Sequence, residues 1–114
     1  MNSEIEKVLI NSVCAVTTLA LISFFWEQTV LLIFLLGATG VYMLVNEGSW
    51  SAVPLYFVAF LLGPLAEFFG IHSGAWSYSS PYLLGFPLWL PLLWGNAALF
   101  FRRMTIFLDH VFQR

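Results

Sequence analysis

Residues 52–71 read AVPLYFVAFLLGPLAEFFGI, an apolar run with a single charged side chain, Glu67. A helix needs about 20 mostly apolar residues to cross the hydrocarbon core of a bilayer. Three further stretches have that character, at about 8–26, 29–45 and 83–101. Lipid offers the backbone no outside hydrogen-bond partner, so each is expected to be a helix. A barrel would need many alternating strands, and continuous apolar runs do not supply them. The expected fold is therefore all-α, an integral-membrane bundle of four transmembrane helices. It forms a single membrane domain over residues 1–114.

Composition points the same way. Of 114 residues, 61% are hydrophobic and 9% charged, whereas soluble domains carry about 25% charged residues. A small water-soluble fold keeps too much surface to hide that much apolar side chain. The net charge of −2 leaves no electrostatic footprint for nucleic acid. A lone cysteine, Cys14, rules out an intrachain disulfide and reads as a small buried hydrophobe. The first residues carry Glu4, Glu6 and Lys7, and no small-x-small site closes the apolar stretch after them. That stretch reads as a retained span rather than a signal peptide.

The breaks have local causes. Trp26 to Thr29 is a tight polar hairpin, and Asn46 to Ser51 is the next. Ser51 is placed to cap the third helix, and Pro54 falls in its first turn, where an N–H is not needed. Ser80-Pro81, Gly85-x-Pro87 and Pro91 predict a kinked, aromatic-rich entry to the fourth helix. Residues 104–114 read either as a short amphipathic helix at the interface or as an extension of the fourth span. Four spans put both termini on one side, together with Lys7, Arg102, Arg103 and Arg114. The positive-inside rule makes that side cytoplasmic, in an inner or plasma membrane. Glu67, His72 and the aromatic loop then belong to the outer leaflet.

A carboxylate at membrane depth is costly and usually faces a protein interior for a purpose. Gly63, Pro64, Gly70 and Ile71 share its helix face, which leaves either room for a ligand or a close helix contact. Apolar surroundings disfavour the charged form, and an acid that keeps its proton can donate it. Glu67 is thus the candidate catalytic acid. His72, five residues on, meets it only if the helix bends near Gly70; otherwise it anchors the interface. Residues 70–96 contain no Lys, Arg, Asp or Glu but include Trp76, Tyr78, Tyr82, Trp89 and Trp94. They form either an aromatic belt or a ligand wall. Trp94 lies deeper than a belt residue, and Asn96 beside it reads as inter-helix glue. No His/Cys cluster has metal spacing, no Gly-rich loop suits a nucleotide, and no catalytic Ser-His-Asp set can be assembled. No metal or cofactor is expected.

Over residues 67–94 the pattern Glu67-x-x-Gly70, Gly74-x-Trp76-x-Tyr78, Leu84-Gly85-x-Pro87 and Pro91-x-x-Trp94 resembles the carotenoid-biosynthesis membrane proteins that include the bisanhydrobacterioruberin hydratases. The resemblance implies an apolar isoprenoid ligand reached from the lipid. It implies Glu67 as proton donor, His72 or Tyr78 positioning water, and Trp76, Trp89 or Trp94 facing developing positive charge. Gly63 and Gly70 would leave the space. Those relatives have more spans, so a complete site of their kind would need two copies of this chain. Two readings stay open: binding or modification of an isoprenoid or lipid around Glu67, or a non-catalytic scaffold that packs with itself or a partner.

Overall fold

The computed structural model describes residues 3–79 and 81–113. Ser80 and Arg114, named above as part of a break and as one of the four basic residues, lie outside the described residues. The described chain is all-helical: α1 (Ser3–Phe25), α2 (Thr29–Glu47), α3 (Ala52–His72), a single 3₁₀ turn (Leu83–Gly85) and α4 (Leu90–Phe112). By length and composition α1, α2 and α3 are each long and apolar enough to cross a membrane. α4 is not among these spans; its second half carries Arg102, Arg103 and Asp109.

Each connection follows from local chemistry. Gly48 takes the left-handed conformation (φ 66°) after α2 and returns its N–H to the Leu44 carbonyl, a turn that a residue without a side chain makes without strain. Ser51 sits at the N-cap of α3 but does not cap it. Its hydroxyl is taken up instead by Ser49 Oγ at 2.9 Å and Arg102 Nη2 at 3.2 Å. Pro64 lies within α3 without ending it. The entry to α4 is irregular. Leu84 adopts φ 65°, Phe86 is extended, and the helix starts only at Leu90, with Pro91 in its first turn. The fourth apolar run thus begins at residue 83, but its helix begins seven residues later. Pro87 and Pro91 lack the N–H groups that a helix crossing them would use, and starting at Leu90 makes Pro91 harmless. α4 then runs unbroken to Phe112, so residues 104–112 prolong it.

α4 is the hub. It packs against α1, α2 and most extensively α3, whereas α2 and α3 scarcely touch. One buried cluster, with Cys14, Met43, Ala52, Tyr56 and Leu99, lies toward the α2–α3 turn. Another, with Leu32, Leu36, Trp89 and Leu90, lies toward the α1–α2 turn. Glu47 and Glu67 fall at opposite ends of the molecule, since α3 rises for some 22 Å between Ala52 and Glu67.

Candidate functional site

Glu67 lies a little over one turn from the end of α3. The chain then doubles back. Ser73 N–H bonds the Phe69 carbonyl (3.0 Å), Ala75 N–H bonds the Gly70 carbonyl (2.9 Å), and Ser73 Oγ donates to that same Gly70 oxygen (3.0 Å). This wrap returns residues 76–78 to the flank of the helix that precedes them. Trp76 Nε1 and Tyr78 OH both donate to Glu67 Oε1 at 2.8 Å, and Trp94 Nε1 donates from α4 to Oε2 at 3.2 Å. Indole N–H groups can only donate, so the carboxylate serves here as a fixed acceptor for three neutral donors. No cationic group among the described residues lies within ion-pair distance of it.

Gly63 and Gly70 exist for the indoles. A Cβ on Gly63 would overlap the Trp94 ring, and one on Gly70 would overlap the Trp76 ring. Of the two outcomes open for these glycines, close packing is the one realised: the notches beside Glu67 hold side chains of the chain itself. Four of the expected site residues, Trp76, Tyr78, Trp94 and Glu67, are therefore brought together, on a floor made by Gly63 and Gly70. His72 is not among them. α3 continues as a helix through His72, and the exposed imidazole packs on Phe68 with ring centroids 4.1 Å apart. Trp89 also stands apart from the carboxylate. It is buried, it meets Tyr78 edge-on at 6.4 Å, and its Nε1 has no partner among the described residues.

Tyr78 leaves the helices and lies in the loop. Burial raises its hydroxyl pKa above the ordinary tyrosine range, and the hydrogen bond to Glu67 and the Glu67 charge push the same way. A raised folded-state pKa stabilises the fold below the unfolded value, about 10 for tyrosine, and that contribution is lost as pH rises beyond it. Subtracting the phenolate absorbance titration of Tyr78→Phe from that of the intact chain should isolate a step above about pH 10. A step at or below the ordinary value would contradict the Glu67 contact.

Of two further polar centres, one was partly legible in the sequence. At mid-bundle Asn96 joins all four helices: it accepts from Tyr56 OH (3.1 Å, α3) and donates to Thr18 Oγ1 (3.2 Å, α1) and the Leu36 carbonyl (3.2 Å, α2). The expected glue is there, but Tyr56, read only as an apolar-span residue, is half of it. At the end carrying the α2–α3 turn, Glu47 is fully buried and meets Arg102 together with Arg103 Nε and Nη2, both at 2.9 Å. Asn11 Nδ2 reaches it at 3.4 Å, Lys7 Nζ takes its carbonyl at 3.2 Å, and Glu4 pairs with Arg103 at 2.8 Å. The available signal was the pairing of an acid closing one apolar run with two adjacent arginines closing another. No family model, no curated protein and no solved structure matches the chain, so the geometry of the Glu67 site is the basis for reading its function.

Proposed function

We propose that the chain is a four-span membrane protein whose Glu67 site is a non-catalytic, load-carrying joint between the outer loop, α3 and α4. In this reading the first half of α4 and the irregular segment before it complete the fourth span. Lys7, Arg102 and Arg103 gather at one end, which the positive-inside rule assigns to the cytoplasm with both termini. Glu67 and its aromatic partners then face the outer leaflet of an inner or plasma membrane. The protein acts as a scaffold or subunit presenting an apolar flank to lipid, to a second copy or to a partner.

The observation that carries this reading is that three aromatic donors hold the carboxylate in place. Both oxygens accept bonds from rigid aromatic donors, and the adjoining notches are filled. An isoprenoid-modifying enzyme, which the resemblance implies, needs an acid free to reach a double bond. The three bonds and the two filled notches weigh against Glu67 in that role.

Glu67→Gln separates the two roles. An amide keeps one acceptor oxygen but turns an NH₂ toward donors, so at least one indole or phenol loses its partner. The expected cost is about 1–3 kcal/mol of stability, with the Trp76 loop loosened and its emission more accessible to an aqueous quencher, while helix content is kept. A Gln variant as stable as the parent, with unchanged quenching, would refute the joint.

A further inference from the structure

We propose that Glu67 also receives the primary ammonium of a membrane aminophospholipid, whose acyl chain lies along the adjacent groove between α3 and the entry to α4. The proposal deepens the membrane reading above and rests on it.

The first argument is charge. Three neutral donors distribute the negative charge of the carboxylate but do not cancel it, and no described side chain supplies the cation. At the other end of the molecule the chain surrounds Glu47 with two guanidinium groups, so the same sequence shows what a self-neutralised acid looks like. A charge left open near the membrane is expensive, and a cation from outside removes that cost.

The second argument is capacity. A carboxylate offers about four lone-pair sites. Oε1 already accepts two bonds and Oε2 one, so the remaining site is on Oε2. That site suits an N–H donor. A primary ammonium has N–H groups to offer, whereas the trimethylammonium of a choline headgroup has none. Glu67 is only partly buried and Trp76 is 47% exposed, so the carboxylate is approachable from the loop side.

The third argument is shape and depth. A groove of about 360 Å³, almost wholly apolar, runs between α3 and the irregular entry to α4, lined among others by Phe60, Pro64, Phe68, Phe86 and Pro91. Pro64 lies one turn before Glu67 and Phe68 directly after it, so acid and groove share one stretch of helix. Glu67 is about 8 Å from the end of α3, the depth at which a headgroup passes into its chains. A soluble amine would use the carboxylate and leave the groove empty; a lipid with an amine headgroup uses both.

The test places the full chain in phosphatidylcholine vesicles doped with brominated phosphatidylethanolamine or, separately, brominated phosphatidylcholine, and reads quenching of tryptophan emission. The expected result is a preference for the ethanolamine lipid of roughly tenfold in apparent exchange constant, the equivalent of one charge-assisted bond. That preference should be lost in Glu67→Gln and reduced in Leu65→Phe, which narrows the groove without touching the carboxylate or its three donors. Equal quenching by the two lipids in the intact chain overturns the proposal, as does a Glu67→Gln variant that keeps the preference. A saturable emission change on adding free ethanolamine to phosphatidylcholine vesicles overturns the lipid as the source of the amine. A chain that fails to float with the vesicles overturns the membrane reading itself, a failure distinct from equal quenching by a chain that does float.

Discussion

Glu47→Ala should lower the stability of the folded chain by about 3–5 kcal/mol, the range found when one partner of a buried ion pair is removed. The Glu47 side chain has no exposed surface, and Arg103 is 5% exposed. Arg103 presents Nε and Nη2 to the two carboxylate oxygens in the fork geometry that makes such pairs strong. Without the acid, Arg103 keeps Glu4 and Arg102 keeps the Ser51 hydroxyl among the described residues. Two guanidinium groups would then stand close together, with the one-third-exposed Glu4 pairing with Arg103. Asn11 would also lose an acceptor. The penalty arises from charges stranded rather than from an attraction lost, and this distinction is testable. Replacing Glu47 and Arg103 together by Met should recover much of the loss, because well-packed apolar residues often substitute for a buried pair at little cost. Denaturant or thermal unfolding in detergent, followed by circular dichroism, measures both. A Glu47→Ala variant within about 1 kcal/mol of the parent, the worth of an exposed surface pair, would mean that the cluster is solvated rather than buried.

Gly95→Ala should cost about 2–4 kcal/mol, a large effect for one methyl group. Gly95 faces the Tyr56 ring, and a Cβ there would overlap its hydroxyl-bearing end at Cζ. On the opposite side a Cβ on Gly40 would lie 2.6 Å from Asn96 Oδ1 and 2.9 Å from Tyr56 OH. The phenol is therefore held between two glycines on α2 and α4, and it cannot move aside without giving up its bond to Asn96. The cost has two parts. Overpacking accounts for about 1–3 kcal/mol, and the inter-helix hydrogen bond for roughly 0.6–2 kcal/mol more. Gly95→Ala combined with Tyr56→Ala should be less damaging than the sum of the two single changes, since the second substitution removes what the first collides with. Additive losses would show that Tyr56 does not occupy the Gly95 notch.

Both predictions concern places where the chain spends its few polar groups. Each such group in an apolar bundle must find a partner or impose a desolvation cost. The three polar centres meet that demand differently: Asn96 with neutral groups of the three other helices, Glu47 with cations, and Glu67 with aromatic donors alone. The last is the one with no cation among the described residues at ion-pair distance, and its neighbours on α3, Pro64 and Phe68, line an open apolar groove.

Much of the local structure was legible in the residues. Apolar run length announced the helices, because within one continuous run a helix satisfies its own backbone hydrogen bonds. The break at 46–51 and the prolines before the fourth helix marked where the chain turns, because φ and the N–H are properties of the residue itself, but the start of that helix, expected near residue 83, lies at Leu90. Glu67 stood out by its cost alone. What remained illegible was which side chain answers which. The wrap after His72 that returns Trp76 and Tyr78 to Glu67, the insertion of Tyr56 between Gly40 and Gly95, and the meeting of residues 4, 11, 47 and 103 all depend on helix rotation and on α4 taking the central position. An isolated charge or notch is a local quantity that one residue and its neighbours declare. Its partner is decided by long-range packing, in which many apolar faces of nearly equal hydrophobicity compete and shape complementarity selects among them.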